Sequence, residues 1–78
     1  MSVQQLQAIA ASDKPWASTR AQMALAIAEQ YQGGGLNTSE YQELMQDLVR
    51  MDKLDEEADD MALKAALVQA VYVVAQVA

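Results

Sequence analysis

Apolar residues recur every three or four positions along most of this chain, which is the spacing of amphipathic helices. The pattern predicts four helices, over residues 3–11, 15–32, 38–51 and 60–77. A Gly-rich turn at residues 33–35 and an acidic stretch at residues 52–60 separate the last three. Within the acidic stretch, Leu54 and Ala58 have the spacing of one helical turn, so we expect a turn and a short helix there. Because strands are not needed to explain the pattern, the predicted fold is an all-α, single-domain helical bundle covering residues 1–78.

The second predicted helix begins at Pro15, which suits a first turn because its missing N–H costs nothing there. At 100° per residue, one stripe of larger residues is the predicted core side: Trp16, Met23, Ile27 and Tyr31. Beside it runs a row of small residues that would let another helix approach closely: Ala17, Ala21, Ala24 and Ala28.

The third helix has a clear start signal. Asn37 and Glu40 have the spacing of a capping box, and Leu36 and Tyr41 that of a hydrophobic staple. Its predicted apolar face is Tyr41, Leu44, Met45, Leu48 and Met51. Because only a short Gly turn precedes it, helices two and three are predicted to form an antiparallel hairpin.

The last predicted helix is the most apolar element. Its main stripe is Leu63, Leu67, Ala70, Val71, Val74 and Val77. Residues 71–74 also have strand propensity, but the helical spacing from Leu63 onward favours a helix. A helix that is apolar on nearly all sides is either central in a fold or shared with a partner, and a chain of this size builds only a small core. We therefore expect this helix to associate with a partner.

Composition agrees with an ordered helical protein. Of the 78 residues, 53% are hydrophobic and 21% charged, which is too apolar and too weakly charged for a disordered tail. Pro occurs once, and the three Gly are adjacent, so the rest of the chain is free of helix breakers.

The missing residue types exclude several kinds of chemistry. With no Cys and no His, the chain has no disulfide, no thiolate or imidazole metal site, and no Cys- or His-dependent catalysis. Its candidate hydroxyl nucleophiles occupy cap and turn positions: Ser2, Ser12, Thr38 and Ser39. The Gly run lacks the Lys and Ser/Thr of a P-loop. We expect a protein that is not an enzyme and that has no cofactor and no dedicated metal site.

Charge is concentrated in one part of the chain. The net charge is −6, and residues 36–60 contain nine acidic and two basic residues. The acidic stretch is the predicted face for a basic partner: Asp52, Asp55, Glu56, Glu57, Asp59 and Asp60. This balance argues against direct nucleic-acid binding, which needs Lys and Arg. It leaves two alternatives open: an acidic inhibitor or DNA mimic, and a weak divalent-cation-binding protein, although the stretch lacks the central Gly of an EF-hand.

The sequence also bears on location. Residues 1–11 lack the basic start and apolar core of a signal peptide. Residues 61–78 include Lys64, Gln69 and Gln76, so we expect them to be buried in protein rather than in a membrane. The absence of Cys suits the cytoplasm, or a virion if the chain is phage-encoded.

The pattern Tyr31-x-x-x-Gly35-Leu36-x-x-x-Glu40-Tyr41-x-x-Leu44-x-x-x-Leu48 resembles the short helical hairpins of SHOCT-type oligomerisation domains. The triple Gly, and Asn37 where Thr is commoner, depart from that pattern. The acidic, Ala- and Gln-rich chain is also similar in style to small helical proteins of tailed phages. The resemblance implies a structural or assembly role and carries over no catalytic residue.

These observations predict a structural or interaction module that forms homo-oligomers or docks on a larger protein. The predicted contact residues lie on the second and last helices: Ala17, Ala21, Ala24, Ala28, Leu67, Val71, Val74 and Val77.

Overall fold

The protein is an all-α helical bundle. The computed structural model describes residues 2–76, with side chains for residues 3–50 and 53–76. Within that part of the chain there are five helices: α1 Ser2–Ala10, α2 Pro15–Gln32, α3 Thr38–Leu48, α4 Met51–Glu57 and α5 Met61–Gln76. Helices α2 and α5 pack against each other, and both α1 and α3 contact this central pair.

Helices α2 and α3 form the predicted antiparallel hairpin, since the end of each lies beside the start of the other. At one end, the rings of Tyr31 and Tyr41 stack with their centroids 4.3 Å apart. At the other end, the Nε of Arg20 donates to the carbonyl oxygen of Leu48 at 3.0 Å. Between the two helices, Gly34 has a φ of +85°, which a Gly adopts without steric cost.

The start of α3 confirms the predicted capping box. The backbone N–H of Glu40 donates to Asn37 Oδ1 at 2.8 Å, and the backbone N–H of Asn37 donates to Glu40 Oε1 at 3.0 Å. Two backbone donors that a helix start leaves without intrahelical partners are thereby satisfied.

The third predicted helix ends earlier than its periodicity indicated. Instead of reaching residue 51, α3 stops at Leu48, and the chain turns through Val49 and Arg50 into the short helix α4. The turn lets Val49 and Leu54 bury their side chains, at 2% and 0% exposure. A straight continuation would carry the acidic stretch away from α2.

The buried face of α2 consists mainly of its row of small residues. Ala17, Ala21 and Ala24 are fully buried, whereas Met23 of the predicted core stripe is 48% exposed. Because small side chains let helices approach closely, α2 turns its Ala row toward the interior. Of the predicted core stripe, Trp16 is also buried, at 8% exposure, whereas Ile27 and Tyr31 are only partly buried. In α3, similarly, Leu44 of the predicted apolar face is 39% exposed.

The hydroxyl of Tyr41 joins α3 to the end of α5. This side chain is 3% exposed, and its hydroxyl donates to the carbonyl oxygen of Val74 at 2.9 Å. Burial raises the pKa of Tyr41 above its usual range, because the charged phenolate is disfavoured away from water.

Candidate interaction surface

Helix α5 has two uncharged faces of opposite burial. Its inner face is covered by the other helices and consists of Leu67, Ala70, Val71, Val74 and Ala75. Its outer face is exposed to solvent and consists of Met61, Ala62, Ala65, Ala66, Gln69, Tyr72, Val73 and Gln76. Met61 is 71% exposed and Tyr72 45%. A helix with a buried face and an uncharged exposed face has surface left for a partner.

Helix α1 extends this uncharged surface. It contains no acidic or basic residue, and Gln4, Gln5 and Ala8 are exposed. A groove of about 230 Å³ runs between α1 and α5, lined by Gln5, Ala8, Ile9, Ala66 and Gln69. Gln4, Gln5 and Ala8 of α1 and the outer face of α5 are together called the neutral surface below.

The predicted contact residues belong to the interior of the single chain, which corrects their assignment as a contact surface. Ala17, Ala21, Ala24, Leu67 and Val71 are fully buried, and Ala28 and Val74 retain 8% and 6% exposure. Val77 lies outside the described residues. The inner stripe of α5 is buried because α1, α2 and α3 all pack against that helix.

The acidic stretch is folded back onto the start of α2. The indole N–H of Trp16 donates to Asp59 Oδ1 at 3.0 Å, and Lys14 Nζ lies 3.1 Å from Asp59 Oδ2. The hydrogen bond from Trp16, together with that from Lys14, lowers the pKa of Asp59. The same contact raises the pKa of Lys14, first through its hydrogen bond to Asp59.

Arg20 of α2 links that helix to the ends of α3 and α4. Its guanidinium donates to Glu57 Oε2 at 2.6 Å, to the carbonyl oxygen of Trp16 at 2.9 Å and to that of Leu48 at 3.0 Å. The hydrogen bond from Arg20 lowers the pKa of Glu57. A cation at the end of α3 also suits the negative end of that helix.

The remaining residues of the predicted acidic face have mixed roles. Asp55 forms an ion pair with Lys64, and Asp60 accepts the backbone N–H of Leu63 at 3.0 Å as the cap of α5. Glu56 is exposed and has no hydrogen bond or ion pair within the described residues. The side chain of Asp52 lies outside the described part. Of the five predicted residues whose side chains are described, four therefore have partners inside the chain.

Replacing Asp59 should loosen the contact between the acidic stretch and α2. In Asp59→Ala, Trp16 loses its acceptor and Lys14 its counter-ion, so we expect a red-shifted emission from this single tryptophan. Asp59→Asn keeps an oxygen acceptor and should shift the emission less. Glu56→Gln is the control, because it removes one charge without removing a contact.

Lowering the pH should shift the emission of Trp16 in the natural chain in the same direction as Asp59→Ala does. The folded-state pKa values of Asp59 and Glu57 are lowered, so their stabilisation is present above the ordinary carboxyl range, about pH 4, and is lost as the pH falls through the lowered values. An acid titration of Trp16 emission that is identical in the natural chain and in Asp59→Ala would contradict this assignment.

The structure and the comparisons bear on three other possibilities. In the described residues, no group of three or more acidic side chains is arranged to hold a metal ion. None of the helices in residues 2–76 is long and apolar enough to span a membrane. No protein-family model, curated protein or solved structure matches the chain.

The neutral surface was not among the predicted sites, although a signal for it was present in the sequence. The outer positions of α5 follow a three–four spacing of their own, and the only charged residue in α5 is Lys64. The periodicity of the larger apolar residues indicated the inner stripe of α5. Only the packing of the helices shows that this inner face is covered and that the outer face is left exposed.

Proposed function

We propose that this chain is a non-catalytic structural or interaction module, which acts by self-association or by docking on a larger protein through the neutral surface. The observation that carries the proposal is the distribution of charge. In a molecule of net charge −6, the exposed residues of this surface on α1 and α5 include no charged side chain. Such a surface can be removed from water without desolvating an ion.

The composition of the neutral surface supports this role. The centres of protein–protein interfaces are depleted in charged residues and enriched in aromatic residues and Met. Here Tyr72 and Met61 project from a helix whose opposite face is held in the core by Leu67, Val71 and Val74. The surface is therefore carried on a rigid element, which reduces the ordering cost of binding.

The acidic stretch supports the alternative role, an acidic inhibitor or DNA mimic, less well. A basic partner would compete with Lys14, Arg20 and Lys64 for Asp59, Glu57 and Asp55. These pairs satisfy the carboxylates within the chain, so the gain from a new partner is reduced by the contacts that it replaces.

A narrower form of the proposal is a component of a phage particle or of its assembly. Its support is the likeness of residues 31–48 to SHOCT-type hairpins and the similarity in style to small phage proteins. The oligomerising role of such hairpins agrees with association as the activity of this chain.

Site-specific photo-crosslinking in the cells that produce the protein tests the proposal. A photoreactive amino acid at Gln69 should form adducts with protein, whereas the same group at Gln42, an exposed residue of α3, should not. Both positions are exposed glutamines on helices, so the comparison isolates the surface. The absence of any protein adduct from Gln69, or equal adducts from both positions, would contradict the proposal.

A further inference from the structure

The outer face of α5 has the residue spacing of a helix-pairing seam. Five exposed residues follow one another at steps of three and four: Ala62, Ala65, Gln69, Tyr72 and Gln76. This is the spacing of the a and d positions of a heptad, and such a stripe stays on one side of a helix over several turns. Ala66 and Val73 lie beside it and are also exposed.

We propose that the partner of the neutral surface is a second copy of this chain, with the two α5 helices packed antiparallel across a twofold axis at Gln69. This inference rests on the proposed function, because it names the occupant of the same surface. A twofold interface brings the same patch of both copies together, so the patch must be complementary to itself.

The residue sizes along the outer face meet that requirement. A twofold axis at Gln69 pairs positions that are equally far from it in opposite directions. Tyr72 and Val73 of one copy then lie at the level of Ala66 and Ala65 of the other. The larger side chains on one half of the helix thus meet the smallest ones on the other half, as close packing of two helices requires.

Gln69 itself is suited to a position on the axis. A primary amide has both donor and acceptor atoms, so two copies facing each other can exchange a pair of hydrogen bonds. A polar residue at the middle of a seam fixes the register and orientation of the helices at some cost in stability. Gln69 would do so here.

The charge distribution allows two copies of the chain to meet on this surface. Two molecules of net charge −6 repel each other wherever their acidic surfaces meet. The exposed side of α3 carries Glu43 and Asp47, and α2 carries Glu29. Across the neutral surface the two copies approach without opposing carboxylates.

The available area indicates a weak dimer. Sixteen residues of α5 extend about 24 Å, and two adjacent helices are about 20 Å wide, which gives about 500 Å² for each copy. The total of about 1,000 Å² is at the lower limit of specific interfaces. We therefore expect dissociation constants in the micromolar to millimolar range, and dimers that strengthen with added salt as the overall repulsion is screened.

Sedimentation velocity of charge-swapped variants tests the arrangement. Gln69→Glu and Gln69→Lys each place like charges on the axis, so each alone should weaken the dimer about tenfold or more. An equal mixture should restore association as a heterodimer, because the two opposite charges then face each other. Gln42→Glu and Gln42→Lys make the same charge changes on α3 and should leave the dimer unchanged. Circular dichroism should show the same helical content in all four variants.

The outcomes separate this inference from the proposed function. A natural chain that remains a monomer up to millimolar concentration at high salt would overturn the second-copy proposal, as would a dimer unaffected by Gln69→Glu. If the chain is monomeric while the Gln69 crosslink captures a different protein, the surface is an interface and only its occupant is wrong. If Gln69 captures nothing, the proposed function fails as well.

Discussion

Val74→Asp should leave the chain unfolded at room temperature. Val74 is 6% exposed on the inner face of α5, and its carbonyl oxygen accepts the hydrogen bond from the buried Tyr41. The substitution forfeits about 1.5–3 kcal/mol of apolar burial. It also places a carboxyl group among apolar side chains, where an unpaired charge costs several kcal/mol more.

The sum of these costs is comparable with the whole stability of such a chain, about 5 kcal/mol for a small core without disulfides. Far-UV circular dichroism and the emission of Trp16 should both report the loss of structure. Val73→Asp is the matched control, because Val73 is the neighbouring residue of the same helix and is 38% exposed. It should retain the native helical signal. Equal urea midpoints for the two variants would show that α5 does not bury this face.

Ala24→Leu should destabilise the bundle by about 1–3 kcal/mol through overpacking. Ala24 is fully buried on α2, which packs against α1, α3 and α5. The extra atoms of a leucine have no free volume to occupy, so neighbouring helices must separate or adopt strained rotamers. With a urea m-value of about 1 kcal/mol per molar, the midpoint should fall by about 1–3 M.

Ala26→Leu controls for the intrinsic effect of leucine in this helix. Ala26 is exposed on α2, two residues away, and leucine and alanine have similar helix propensities. Its urea midpoint should be close to that of the natural chain. A similar loss in both variants would mean that the Ala row of α2 does not form the close-packed core of the bundle.

The carboxylates of the acidic stretch hold parts of this chain together, in addition to giving it a negative charge. Asp55, Glu57 and Asp59 fasten the turn and α4 against the rest of the fold through Lys64, Arg20 and Lys14. Their side chains remain about half exposed, so each pair contributes modestly on its own. Together with the buried Leu54, they fix the position of a segment that has little apolar surface.

Local signals in the sequence determined most of the secondary structure. Pro15 marked the start of α2, the Gly run marked its end, and the Asn37–Glu40 capping box marked the start of α3. These signals act between residues a few positions apart, so they do not depend on the rest of the fold. The all-α class and the α2–α3 hairpin followed from them.

The break at Val49 and the roles of the α2 and α5 faces were decided by tertiary packing. Val49 and Leu54 reach the core only if the helix is interrupted, which no local breaker residue announces. Periodicity correctly indicated the buried stripe of α5, which includes Leu67, Val71 and Val74, but two neighbouring stripes of α2 were apolar enough to be buried. Which stripe faces inward depends on how closely the neighbouring helices can approach, because burial is gained from contacts between segments far apart in the sequence. That choice turned the Ala row of α2 inward and left the neutral surface of α1 and α5 exposed.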